Sequence, residues 1–136
     1  MVKRLLLLSL TALAVTGLLV FEEREGKKSA SGMVVVKIPS SFSEEALRGG
    51  KTFLKNCSSC HGKHASGKPG MGPPLVHKIY EPSHHNDSSF YRAVELGVKS
   101  HHWPFGNMAK ITGITRGEIG EIIAYVRELQ RANGIR

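Results

Sequence analysis

The chain has 136 residues, a formal net charge of +8 and only two cysteines. That length suits one small domain with an addition at the N-terminus. The positive charge forms no basic helix and no lysine or arginine cluster with interleaved aromatics, which excludes nucleic acid and favours an acidic protein surface or an anionic membrane face.

Lys3 and Arg4 open the chain, and residues 5–21 form a nearly unbroken apolar run ended by Glu22, Glu23, Arg24 and Glu25. This is the layout of an export signal. Ala12-Leu13-Ala14 offers a cleavage site, but the apolar stretch before it is short. Left uncleaved, the run lies at the short end of what spans a bilayer. Residues 1–21 therefore read as a signal peptide or an N-terminal membrane anchor, with positive charge left inside. Either one sends the rest of the chain to the periplasm or the outer face of the cytoplasmic membrane. Residues 22–40 read as a linker, polar and aperiodic from Gly26 to Gly32. Its β-branched end, residues 33–38, either lies extended against the domain or acts as a stiff tether. The domain proper is residues 41–136, without internal repeats.

A first helix is expected from Ser41 or Ser43, both good N-caps. Ala46, Phe53 and Leu54 supply its apolar side. Gly49 and Gly50 inside it cost about 1 kcal/mol each relative to alanine. Close approach by another helix would offset that cost.

This helix runs into Cys57-Ser58-Ser59-Cys60-His61. Cys-x-x-Cys-His is the pattern to which a haem is attached by two thioether bonds, with the histidine on the iron. A helical turn lets both thiols reach the vinyl groups on one porphyrin edge, and His61 then points at the metal. Both cysteines are used here, so none remains for a structural disulfide. A thioredoxin-like redox pair would want a βαβ context, which the sequence lacks. A zinc site would need two more ligands, which His61 and His64 supply on paper. The expected cofactor is one covalent haem c, whose propionates bring the net charge to about +6. Covalent haem is installed outside the cytoplasm, so motif and export signal agree.

Two long Gly/Pro-rich loops follow, residues 62–74 and 99–113, around a short amphipathic helix over residues 88–96 that ends at Gly97. Asp87 or Ser88 would cap that helix, with Phe90, Tyr91 and Val94 facing inward. Thr115-Arg116-Gly117-Glu118 is a capping box. Ile119, Ile122, Ile123, Val126 and Leu129 continue at helical spacing, with Tyr125 on the flank and Asn133-Gly134 as the stop. So much loop leaves a thin core, which a buried haem would fill. The fold class is all-α, about three to four helices with long loops wrapped around the haem.

Over residues 41–134 the chain resembles the class I c-type cytochromes. Gly49 and Phe53 precede Cys57 at the family's spacing, and Ile122 and Tyr125 match its partner positions on the last helix. Gly72-Pro73-Pro74-Leu75 looks like the family's Gly-Pro-x-Leu, and Gly106-Asn107-Met108 like its distal-ligand segment. The resemblance implies His61 as proximal ligand, with the Pro73 carbonyl fixing its ring through Nδ1 and Leu75 packing on the haem. It implies Met108 as distal ligand, in a dry pocket with Trp103 and Phe105; a histidine, Met71 or an open site is the alternative. The family usually follows this methionine with proline. Here Ala109-Lys110 follows, which puts the stiffness of the loop in question and makes Lys110 a competitor for iron at high pH.

Seven histidines occur: His61, His64, His77, His84, His85, His101 and His102. The pairs His84-His85 and His101-His102 read first as polar loop residues near the haem, then as a second metal site such as copper. Lys51, Lys55, Lys63, Lys68, Lys78, Lys99 and Lys110 are the candidates for a docking ring. A closed His/Met site leaves no position for substrate, so a one-electron carrier is expected rather than an enzyme. Its partners would be redox proteins with acidic surfaces, such as a terminal oxidase or dehydrogenase. The alternatives are a haem-bearing subunit of a larger membrane complex, and a haem module with an open site for a small ligand.

Overall fold

The computed structural model describes residues 32–136. The apolar run of residues 5–21, with its reading as signal or anchor, lies outside the described residues, as does the first part of the linker. Four α-helices are present among the described residues: α1 Glu44–Asn56, α2 Ser58–His61, α3 Asp87–Leu96 and α4 Arg116–Ala132. Single 3-10 turns stand at Lys63–Ala65 and Lys78–Tyr80, and the only β pairing among the described residues is two isolated bridges. The expected all-α class is the one observed. No helix of the described residues is long and apolar enough to cross a membrane.

Ser43 caps α1, its hydroxyl accepting from the Ala46 amide at 3.1 Å. The same hydroxyl donates to Glu128 Oε1 of α4 at 2.7 Å, so the cap also ties the two helices. The buried face of α1 is Ala46, Gly49, Gly50 and Phe53. Leu54 does not join it and is 47% exposed. At about 100° per residue it lies about 90° round from the centre of that face, on the side of Leu47, which is exposed as well.

Thr115 and Glu118 form the expected capping box of α4, with Thr115 N donating to Glu118 Oε2 at 2.8 Å. Helix α4 crosses α1 at Gly49 with the two backbones in contact. A Cβ on Gly49 would lie 1.8 Å from the Glu121 carbonyl oxygen. The Tyr125 ring covers Gly50 and packs against Phe42 and Phe53, ring centres 5.3 and 5.6 Å away. Only glycine permits this crossing, which accounts for two helix-weakening residues in α1.

Asn86 holds the N-cap position of α3, without a side-chain capping bond, in place of the expected Asp87 or Ser88. Asp87 is engaged elsewhere: its carboxylate accepts from Arg127 Nε at 2.8 Å. Arg127 is buried among acceptors, donating to the Tyr80 and His85 carbonyls at 2.7 and 2.5 Å and to Gln130 Oε1 at 2.6 Å. Gln130 in turn donates to the Leu75 carbonyl at 2.8 Å. These bonds fasten the irregular segment from Leu75 to His85 onto α4.

Residues 33–38 lie extended against the domain. Val34 N donates to the Ser66 carbonyl at 3.1 Å, and Lys37 exchanges two 2.8 Å bonds with the Asn133 side chain. Val36 packs on the core.

Candidate cofactor site

A cavity of about 500 Å³ opens between the four helices and the loop from Gly97 to Met108. Phe53, Leu75, Phe90, Val94, Val98, Trp103, Phe105 and Ile122 give it a largely apolar wall. Cys57 and His61 stand on that wall; Cys60, one turn on, is exposed. The Cys57 backbone N–H still bonds the Phe53 carbonyl at 2.8 Å, so α1 delivers the motif directly to the cavity. Burial, with the Cys60 charge adding to it, pushes the Cys57 thiol up to about 11.

His61 is held through one ring nitrogen. Its Nδ1–H donates to the Pro73 carbonyl at 2.9 Å. A carbonyl can only accept, so the proton sits on Nδ1 and the Nε2 lone pair is left for a metal. Burial holds this imidazole below the usual histidine range, against the opposing pull of the Pro73 bond. The loop that presents Pro73 is itself pinned. The Ala65 carbonyl accepts from the Leu75 and Val76 amides at 2.9 and 3.2 Å, and the Gly67 amide donates to the His61 carbonyl at 2.7 Å. To make these bonds the chain passes through positive φ at His64 and Ala65.

Met108 also lies on the cavity wall, whereas Met71 is half exposed and away from it. Val98 and Met108 form an antiparallel bridge, with bonds of 2.9 and 3.0 Å between their backbones. Asn107 Oδ1 accepts from the Ser100 amide at 2.9 Å, and the Ser100 hydroxyl donates to the Trp103 carbonyl. The loop is therefore stiffened by pairing, without the proline that the family resemblance led one to look for.

The site fits a haem on several independent counts. A thiol, a metal-ready imidazole and a thioether stand on its wall, a second thiol lies one turn on, and the wall is largely apolar. Trp103 Nε1–H is buried and makes no hydrogen bond of good geometry within the protein, although the Tyr80 phenol lies beside it. A donor left without an acceptor in an apolar cavity suits a carboxylate-bearing cofactor.

The cytochrome c family model matches residues 46–130, most of the described domain. The chain belongs to the cytochrome c family. This cytochrome accordingly carries covalently attached haem c, and its family and fold support a role in carrying electrons. Among solved structures it is similar to cytochrome CL from the marine methylotrophic bacterium Methylophaga aminisulfidivorans MPT. That structure is 27% identical, with 76% of this chain and 68% of the other covered and a TM-score of 0.49. No curated protein matches the chain.

Four histidines of the cytochrome line the cavity: His61, His85, His101 and His102. Burial lowers His85 below the usual histidine range, opposed by its bond to the Ile79 carbonyl; His102 is lowered as well, by burial and then by its histidine neighbours. Sequence reasoning did not find Arg127, Gln130 or Val98. A charged residue within an apolar stripe was the one available sign for Arg127; Val98 gives no sign at all.

Proposed function

We propose that this cytochrome is a one-electron carrier working outside the cytoplasmic membrane, with His61 and Met108 as its iron ligands. When bound, the haem supplies a reversible one-electron iron couple. Cys57 and Cys60 hold it through thioethers. His61 offers Nε2 while the Pro73 carbonyl keeps its ring in one tautomer and one plane. Met108 offers a neutral, soft sulfur from a backbone clamped to Val98, a ligand that favours the reduced state. Leu75, Trp103 and Phe105 exclude water, and Trp103 Nε1–H is available to a propionate. The observation that carries this reading is the convergence of His61 and Met108 on one apolar cavity, each fixed by backbone hydrogen bonds.

The exposed lysines Lys51, Lys55, Lys63, Lys68, Lys78, Lys99 and Lys110 supply a basic surface for docking acidic redox partners such as a terminal oxidase or dehydrogenase. The N-terminal apolar run supports export, with or without retention as an anchor.

The test is the exported protein itself. Its intact mass reports haem attachment and N-terminal processing together. Its ferric spectrum should show the charge-transfer band of iron–thioether ligation, and its electron exchange with a partner should slow as salt rises. Rapid binding of carbon monoxide by the ferrous protein would instead indicate an open site and overturn the carrier reading.

A further inference from the structure

Outside the haem ligands, three histidines from two separate loops meet at the rim of the cavity. His84, His85 and His102 each bring a ring nitrogen to within 4.8 Å of the others. The ring centres of His84 and His85 are 4.7 Å apart, and those of His85 and His102 are 5.2 Å apart. No residue of this group is used in the account of electron transfer.

We propose that His84, His85 and His102 form a second metal site, taking a borderline divalent transition ion such as copper or zinc. Imidazole nitrogen is the ligand type that suits these ions. Three protein nitrogens with a fourth position open to water is a known donor set for zinc. At metal–nitrogen distances of about 2.1 Å the three nitrogens must close to roughly 3.4 Å of one another. His84 and His102 are exposed and free to make that movement, while His85 is the fixed point.

His85 is prepared for the role. Its Nδ1–H donates to the Ile79 carbonyl at 2.6 Å, which leaves the lone pair on Nε2. Metal-binding imidazoles are commonly oriented in this way. The His85 carbonyl is held by Arg127, and its amide donates to the Glu81 carbonyl at 2.7 Å, so the backbone is held at both ends. Arg127 brings a positive charge to this backbone, but Asp87 pairs it at 2.8 Å. His101 stands next to the group, its ring centre 4.2 Å from that of His102, yet it is not among the three residues whose ring nitrogens lie within 4.8 Å of one another. It is a neighbour of the site rather than a ligand.

The position gives the ion a consequence. His84 and His85 follow the 3-10 turn of Lys78–Tyr80, whereas His102 belongs to the loop that leads to Met108. One ion would staple these two segments across the mouth of the cavity. A ligand bound only by the folded chain stabilises it by mass action.

The experiment uses the haem-loaded protein, stripped of adventitious metal and titrated with Cu²⁺ or Zn²⁺ alone. One equivalent of Cu²⁺ should bind, with an electron paramagnetic resonance signal split by imidazole nitrogens. Zn²⁺ should raise the melting temperature. His84→Gln and His102→Gln should each weaken binding about tenfold or more and remove the thermal shift. His101→Gln should change neither. His84 is not on the cavity wall, so an unchanged haem spectrum in His84→Gln separates this site from the carrier reading. Binding of equal strength in His84→Gln and the parent, or a copper signal without nitrogen splitting, would overturn the proposal.

Discussion

Val98 clamps Met108 by both backbone groups, its carbonyl accepting at 3.0 Å and its amide donating at 2.9 Å. Gly97, just before Val98, ends α3 at φ +80°, and a Cβ there would stand 2.6 Å from the Met108 carbonyl oxygen. Helix end and ligand loop are thus one unit. Gly97→Ala must adopt a left-handed conformation and push Met108 away, which should cost about 2 kcal/mol or more. Chemical denaturation measures that loss. The iron–sulfur charge-transfer band should weaken in the same variant while its haem content stays normal.

Removing the thioether itself tests the ligand assignment directly. Met108→Ala should lower the reduction potential and let the ferrous protein bind carbon monoxide. Met71→Ala should do neither, because Met71 lies away from the cavity. A ferric spectrum unchanged by Met108→Ala would show that another side chain binds the iron.

The α1–α4 crossing offers a second stability test. Gly49→Ala places a methyl group 1.8 Å from the Glu121 carbonyl oxygen and 2.7 Å from the Ile122 amide nitrogen, with backbone on the far side and nowhere to yield. The helices must separate, at a cost of about 3 kcal/mol. Gly50→Ala meets the Tyr125 ring at 3.1 Å and should cost less. A denaturation midpoint as high in Gly49→Ala as in the parent would contradict the direct backbone contact.

Arg127→Met keeps much of the side-chain bulk but removes every donor. The Tyr80 and His85 carbonyls and Gln130 Oε1 each lose a bond, and Asp87 loses its cation. Unsatisfied buried acceptors make this a loss of about 3 kcal/mol. Hydrogen exchange should show the segment from Leu75 to His85 loosening before the α1–α4 crossing does.

Acid should weaken the fold. Burial lowers His64 in the folded chain, with Lys63 adding to the effect, while the unfolded chain keeps the ordinary value of 6.5. Below that value the unfolded state takes up protons that the folded state refuses, so stability falls as pH drops toward the folded-state value. The denaturation midpoint of the holoprotein should therefore be lower at about pH 5 than at about pH 7.5. His64→Gln should flatten the dependence. It also breaks the 3.0 Å hydrogen bond between His64 and the Tyr125 hydroxyl, so its midpoint at neutral pH should fall slightly.

What could be read from the residues alone was what depends on short spacing. The Cys57–His61 run, the Thr115 capping box and the apolar stripe of α4 are all set within one or two turns of chain. Gly49 was legible because a glycine within a helix calls for a reason, and the crossing with α4 provides one. The cap of α3 was misplaced because asparagine, aspartate and serine all serve well there. Asp87 instead sits in the first turn and pairs with Arg127, 40 residues away. Leu54 was assigned inward by composition, although its angle around α1 turns it outward. The Val98 clamp joins residues across an irregular loop, and the meeting of His84, His85 and His102 depends on where two loops end. Neither leaves a periodic trace in the sequence.

The half-buried sulfur of Cys57 bears on the order in which the molecule is assembled. With its thiol pushed up to about 11, the folded polypeptide offers almost no thiolate there at neutral pH, and the sulfur faces inward. An unfolded chain has neither handicap. Porphyrin ligation must then precede closure of the polypeptide around it, and a precursor that folds too early would be a dead end in biogenesis.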